Sequence, residues 1–394
     1  MRLGPVFSLA WRYTVRHPVQ SVLLALAVAL VAAVPVSLRL VLDSAEKAFL
    51  ARAAATPQLV GARGSALDLL MTGLYFKQQP LPVIPMRQME ALRGQKLARV
   101  IPLYVRFQAQ GAPIVGTHLD YFPYRGLALA EGGMMTRLGD CVVGARLARQ
   151  RGVKAGGSLF STQEQVFDLA GIYPLKMRVS GVLEASGTAD DDAVFVDLKT
   201  AWLIEGLAHG HDDLAAGGSD TVLKEEKGNV VGNASVRLFN EVTAGNIGSF
   251  HFHGDMGGYP LSALLLVPKD EKSEALLAGR FLDKDSSLQL IRPLEEVRKL
   301  METLFKMERL GLVLFGLVSA GLLGAGGLVF ALSFRMRRRQ FATLADLGVS
   351  RRALVLTKLC EVALVAVLGL ALAGGLSLAA WLNAEPLVKL LMRG

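Results

Sequence analysis

Residues 310–334 read LGLVLFGLVSAGLLGAGGLVFALSF, 25 residues without one charge. As a helix rising ~1.5 Å per residue the stretch extends roughly 37 Å, and a bilayer's hydrocarbon core is ~30 Å thick, so it spans with some tilt. Lipid is therefore the solvent for part of this chain. Within the stretch, Ala320/Gly324 and Gly321/Ala325 repeat at four-residue spacing. Packing rather than hydrophobicity draws helices together in lipid, so these four small residues mark a helix-packing stripe.

Two further blocks behave alike. Residues 19–42 open with VQSVLLALAVALVAAVPVSL, and residues 362–382 are uncharged and carry Gly369, Gly374 and Gly375. Pro35 predicts a kink in the first block, and Arg39 can snorkel at its outer end. The first block is longer than a leader's apolar region and no small-residue cleavage site follows it, so it reads as a retained span. The mean hydropathy of +0.39 and the 52% hydrophobic content concentrate in these blocks.

The formal charge of +9 has the same origin. Arg2, Arg12 and Arg16 precede the first block, while Arg335, Arg337, Arg338, Arg339, Arg351, Arg352 and Lys358 follow the second. Cytoplasmic flanks collect Lys and Arg, which places residues 1–18 and 335–358 inside and 46–293 outside, with a tail at 383–394 also outside. Basic residues interleaved with aromatics on a soluble face are not seen, which argues against a nucleic-acid partner. Cys141 and Cys360 fall on opposite sides of the membrane in this topology and cannot pair.

The 46–293 segment is long enough for its own core. ARVIPLYVRFQ, APIVGT, DCVVGA, KMRVSGVLEA, AVFVDL and SALLLVP are short apolar or alternating runs bounded by Gly, Pro and Asp. They read as strands, giving an α+β domain with a mixed sheet, with residues 80–90 and 144–152 as a loop and a short helix between them. Residues 205–235 are polar and contain glycine, suggesting two lobes divided by an insertion at about 205–260. After Pro293, Leu294, Val297, Met301 and Leu304 recur at helical spacing, so an amphipathic stalk over 294–309 runs into the second block with no breaker before Gly311.

Four of the six histidines form two His-x-His pairs: His209 and His211 followed by Asp212, and His251 and His253 followed by Asp255. Imidazole and carboxylate are zinc ligands, and i, i+2 positions of a strand share a face. The same residues also read, without a metal, as solvated polar loops. No catalytic constellation stands out; Ser65 in GARGSA and Ser186 in EASGT lack an evident base nearby in sequence. No phosphate-cradling G-x-x-x-x-G-K-[ST] occurs, so an enzyme is not expected, and ATP with Mg²⁺ would have to be handled by a partner.

The segment FRMRRRQFATLADLGVSRRALVLTKLCE resembles the permease module of FtsX-like ABC transporters, including the MacB and LolC/LolE types. The family pattern is E-x-x-x-L-R-x-L-G-A-S-R; here Gln340 takes the glutamate position and Asp346 stands near the second arginine. LAWRYTVRHPVQSVL is similar to the family's amphipathic N-terminal helix. CVVGARLARQRGVKAGGSLF and RVSGVLEASGTADDDAVFVDLKTAW resemble successive elements of its extracytoplasmic domain, which implies a fold of the MacB periplasmic-core type. VGARGS at 60–65 resembles a subfamily linked to periplasmic metal homeostasis. The family's fourth span has no counterpart, so the chain reads as a three-span variant or as ending where others continue.

The resemblance implies a transporter permease subunit that pairs with a separate ABC ATPase, as a homodimer or with a second permease, in the inner membrane. Arg337, Arg338, Arg339, Phe341, Leu344, Leu347, Gly348 and Arg351 would form the ATPase-coupling element. ATP hydrolysis would then move the outer domain to export or extract lipoprotein, lipid, peptide or metal-related cargo, with membrane lipid and a periplasmic adaptor as further partners. A non-transporting regulator of a periplasmic partner, or a membrane-tethered metal sensor, would use the same parts.

Overall fold

In the computed structural model the described residues are 3–162, 174–210, 222–226, 229–232, 240–283 and 286–384. Their α-helices are α1 (Leu3–Arg16), α2 (Pro18–Ala54), α3 (Ala66–Tyr75), α4 (Met86–Gly94), α5 (Tyr121–Arg125), α6 (Ala145–Arg151), α7 (Leu198–Glu205), α8 (Glu271–Arg280), α9 (Pro293–Met336), α10 (Arg338–Asp346) and α11 (Arg351–Leu382). The first strands are β1 (Gln58–Ala62), β2 (Ile84–Pro85), β3 (Ala98–Ala109), β4 (Ala112–Thr117), β5 (Leu129–Gly132), β6 (Asp140–Val143), β7 (Ser158–Phe160) and β8 (Leu175–Leu183). They are followed by β9 (Val194–Asp197), β10 (Ala208–Gly210), β11 (Val222–Glu226), β12 (Asn229–Gly232), β13 (Asn240–Glu241), β14 (Phe250–Phe252), β15 (Pro260–Leu261), β16 (Ala263–Pro268) and β17 (Leu288–Ile291). The chain divides into one unit of 1–51 with 298–394 and a second of 52–297.

Helices α2, α9 and α11 are the long, apolar ones, each able to cross a membrane by length and composition. All three outrun the apolar blocks. α2 stays helical through Pro35 to Ala54, and α9 runs unbroken for 44 residues, about 66 Å at the α-helical rise. Their outward side chains, such as Val19, Leu317 and Leu328, are exposed, as lipid-facing residues should be.

Within the first unit, α2 and α11 approach closely. Ala25, Ala29 and Ala33 lie buried at four-residue spacing, Ala29 and Ala33 beside Ala373 and Ala25 beside Val365. A Cβ on Gly369 would sit 2.6 Å from Val28 Cβ and 2.7 Å from the Ala25 carbonyl oxygen, so only glycine permits this crossing. The stripe read from the sequence is not the one used here. Ala320, Gly321, Gly324 and Ala325 are all exposed, and no atom lies within 4 Å of a Cβ placed at Gly321 or Gly324, among the described residues. α1 buries Val6, Ala10 and Thr14 along one face and packs on α11, leaving Phe7, Trp11 and Val15 exposed.

The second unit is built on a mixed sheet in the order β13-β8-β6-β9-β4-β3-β16-β1-β17, with β5 and β7 also paired to β8. β4 and β9, β6 and β8, and β8 and β13 run parallel; the other neighbours are antiparallel. The sheet is covered on both sides, which is why Val100–Val105 of β3 is buried without alternation. Val60, Val100, Tyr104, Leu264 and Leu266 pack with Met89 and Leu92 of α4 and Trp202 of α7. Leu59, Ile101, Leu103 and Leu265 alternate with them and so face the other side. There α3 rests on β1, its Gly73 lying against Leu59. Phe76, Tyr121, Phe122 and Phe195 add an aromatic cluster with centroids 5.4–6.4 Å apart.

Candidate functional site

Three constellations carry chemistry. The first is a buried hub in the second unit, centred on the turn after Gly187 (φ +71°). The Thr188 side chain accepts from Asp190 N–H, shaping a short 3₁₀ turn over Ala189–Asp192. Asp191 turns back to accept from Ser186 N–H at 2.8 Å, Ser186 Oγ at 2.9 Å and Gly187 N–H at 2.9 Å. Asp190 points inward instead. It receives Arg52 Nη1 at 2.6 Å, Arg52 Nη2 at 3.2 Å and the Tyr121 hydroxyl at 2.6 Å.

Arg52 lies in the last turn of α2, where its Nε also donates to the Leu74 carbonyl. The side chains of the pair are 6% and 1% exposed, so both charges are out of water and every contact is charge-assisted. Burial by itself would raise the Asp190 pKa. The Arg52 charge, with hydrogen bonds from Arg52, Thr188 and Tyr121, outweighs it and brings the pKa down to about 2.

Two sequence motifs meet at this hub. A Cβ on Gly144 would fall 2.2 Å from the Asp190 carbonyl oxygen and 2.5 Å from the Asp191 carbonyl carbon. The glycine opening the ARLARQRG helix is thus dictated by the Gly-Thr turn 43 positions later in the chain (187 less 144). Arg146, two residues on, reaches Asp191 at 3.5 Å and also pairs with Asp192. Gly152, at φ +65°, ends α6 in the left-handed region that glycine adopts without strain. Arg52, Tyr121 and Asp190 escaped the sequence reading. The only local hint was the ADDD run, since acidic runs ordinarily lie in solvent and two of these are buried.

The second constellation is the corner joining α9, α10 and α11. Arg337 sits between α9 and α10 and forks onto both Glu361 oxygens, at 2.9 and 2.5 Å. Its guanidinium lies 3.4 Å above the Tyr13 ring centroid, and the Tyr13 hydroxyl shares a 3.0 Å hydrogen bond with Ser333. Arg337 therefore faces inward and fastens α1, α9 and α11 together. Arg338, Arg339 and Arg351 are exposed, Phe341 and Leu344 are half-buried, and Leu347 is 76% exposed.

The Leu-Gly turn has a clear physical basis. Val349 N–H donates to Leu344 O at 3.0 Å and Gly348 N–H to Ala345 O at 2.9 Å, the paired pattern of a Schellman stop, with Gly348 at φ +89°. Ser350 then accepts from Ala353 N–H and starts α11. Leu-Gly-Val-Ser is a stop and a start within four residues.

The third constellation is the histidines. β10 and β14 pair antiparallel, which sets the backbone of His209 opposite that of His251. The His251 and His253 ring centroids are 4.6 Å apart. Asp255 accepts from Gly257 N–H and caps a short turn. His211 and Asp212 lie outside the described residues. Among the described residues no three metal-ligating side chains converge. Ser65, the other polar residue singled out from the sequence, caps α3 by accepting from Asp68 N–H at 3.1 Å, and Cys141 and Cys360 are both free thiols.

Three helices long and apolar enough to cross a membrane among the described residues, with a folded domain between the first and second, define a membrane protein with a large extramembrane domain. The model of the MacB-like periplasmic core domain matches residues 21–234, more than half of the chain. The chain belongs to this family, that of FtsX/MacB-like ABC transporter permeases, and is a permease-type inner-membrane subunit with an extracytoplasmic domain. Among solved structures, the periplasmic region of MacB from Actinobacillus actinomycetemcomitans is similar at 11% identity and a TM-score of 0.36, covering 63% of this chain and 92% of that one. The extracellular domain of the noncanonic ABC-type transporter YknZ from Gram-positive bacteria is similar at 11% identity and a TM-score of 0.32, covering 60% and 99%. No curated protein matches the chain.

Proposed function

We propose that this subunit converts ATP hydrolysis by a separate ABC ATPase into movement of its outer domain, acting on lipoprotein, lipid, peptide or metal-related cargo at the outer face of the membrane. The observation that carries this reading is α9. One unbroken helix begins two residues after the domain's last strand, β17, and ends two residues before α10 starts. A helix without a break transmits displacement along its axis, because every turn is hydrogen-bonded to the next. Arginine placement supports a cytoplasmic α10 and a cytoplasmic α1.

In this reading α10 is the seat for the ATPase. Exposed Leu347 supplies the apolar contact, Phe341 and Leu344 back it, and Arg338, Arg339 and Arg351 supply charge. Arg337 acts through Glu361 by holding the corner. The open stripe at Ala320, Gly321, Gly324 and Ala325 supports pairing with a second permease copy through α9.

The test is co-purification with the partner ATPase. Leu347→Asp combined with Gly348→Val should reduce recovery of the ATPase at least about tenfold, the loss expected when a buried apolar contact is replaced by a charge. Protease resistance of the outer domain should be unchanged. Undiminished recovery with the double variant would remove α10 from the coupling role.

A further inference from the structure

Within the first unit, α2 and α9 touch near α1 and leave a groove beside the contact. Leu24 of α2 is buried with Phe330 of α9 packed against its cluster, and a Cβ on Gly326 would lie 3.3 Å from Leu24 Cδ2. The groove that opens there holds about 630 Å³. Leu23 and Ala27 form its α2 wall, and Leu322, Ala325 and Val329 its α9 wall. At 3.6 residues per turn this face of α9 is centred roughly a third of the way round the helix from the stripe at Ala320, Gly321 and Gly324. The groove is therefore not the surface assigned to a second permease copy.

Only the mouth is polar, lined by Arg16, His17 and Gln20. The His17 ring rests against Tyr13, with centroids 4.3 Å apart. Arg16 is exposed, and its guanidinium has no hydrogen bond or ion pair among the described residues. The walls offer it no counter-charge, since the first acidic residue of the chain is Asp43 and α9 has none after Glu308.

Depth in the bilayer follows from α1. Phe7, Trp11 and Val15 recur every four residues and are exposed, beside Arg12 and Arg16. A tryptophan-bearing apolar face flanked by arginine settles at headgroup level, and Arg16, in the last turn of α1, shares that level. From Pro18 to Ala27 the groove then descends about 14 Å along α2 into the hydrocarbon. An unpaired cation at headgroup level over an apolar slot is complementary to one kind of molecule, an acyl chain carrying a negative head.

We propose that this groove binds an anionic phospholipid of the leaflet on the α1 side, one acyl chain between α2 and α9 and the phosphate on Arg16 and Gln20. Zwitterionic lipids carry their own ammonium beside the phosphate, so Arg16 favours lipids of net negative charge.

The experiment uses the full chain in mild detergent, mixed with equal amounts of phosphatidylglycerol and phosphatidylcholine of the same acyl length and read by native mass spectrometry. One phosphatidylglycerol per chain should be retained at least about tenfold over phosphatidylcholine, the margin of one charge-assisted contact. Arg16→Gln should abolish this preference and Arg16→Lys should keep it. Ala27→Leu fills the groove below the mouth and should lower phosphatidylglycerol retention about tenfold. Equal retention of the two lipids by the wild-type chain, or retention unchanged in Arg16→Gln or in Ala27→Leu, would overturn the site. A second copy as occupant would appear as a disulfide-linked dimer through Val329→Cys in a Cys360→Ser background, and that result would overturn it too. None of these readouts needs the ATPase, so failure here leaves the coupling role untouched, and loss of coupling leaves this site untouched.

Discussion

Each unit holds an arginine–carboxylate pair away from water, in opposite surroundings. Arg52 and Asp190 are enclosed by the second unit's aromatic cluster, with Tyr121 and the Leu74 carbonyl completing their hydrogen bonds. Arg337 and Glu361 sit among helices whose outward residues are apolar and exposed, and Arg337 Nε has no hydrogen-bond acceptor among the described residues. The first pair is part of a closed core; the second is a fastening at a corner. Buried pairs add little net stability over an apolar replacement but are costly to break on one side only. Both are therefore best understood as fixing a joint, one at the end of α2 and one where α9 turns into α10.

The largest effect comes from breaking each joint on its acidic side. Asp190→Ala leaves Arg52 and Tyr121 without their acceptor and should cost about 3–5 kcal/mol in thermal or denaturant unfolding of the outer domain. Glu361→Ala should cost less, roughly 2–3 kcal/mol, because Tyr13 still faces the guanidinium; its clearer consequence should be loss of ATPase co-purification. Equal losses in both assays for the two variants would erase the distinction between core and corner.

Acid offers a gentler break. The Asp190 pKa lies below its ordinary value of 3.8, at about 2 in the folded chain. Its contribution is complete above pH ~4 and is lost as pH falls toward ~2, amounting to about 2 kcal/mol from this group. Unfolding followed by tryptophan fluorescence between pH 5 and pH 2 should show this loss in wild type, and Asp190→Asn should flatten it. An unaltered acid limb in that variant would mean that other carboxylates set the acid limit.

The smallest effect tests the backing of the hub. Gly144→Ala places a methyl against the backbone of Asp190 and Asp191, which must shift, at a cost of roughly 1–2 kcal/mol. Gly152→Ala meets no neighbouring atom and should lose only the left-handed cap, about 1 kcal/mol. A reversed order in their Tm values would indicate that the 186–192 turn moves more easily than its hydrogen bonds imply.

The spans, the six strand runs and the Leu-Gly-Val-Ser turn were legible in the sequence because each is written in neighbouring residues. An uncharged run long enough for a bilayer has one solution, β runs carry their own Gly, Pro and Asp boundaries, and a helix stop needs only a glycine at the right place. The sequence also displayed both His-x-His pairs, and the glycine of ARLARQRG without its reason.

Only the tertiary structure decided which distant residues share a place. Arg52, Tyr121, Gly144 and Asp190 meet because the sheet returns the chain to one spot, and nothing in their local patterns reports it. The helix contact falls at Ala25, Ala29, Ala33 and Gly369 rather than at the more conspicuous stripe of α9, since small residues permit close approach without choosing the partner. The backbone pairing of His209 with His251 is likewise a matter of strand register, which the local sequence does not state.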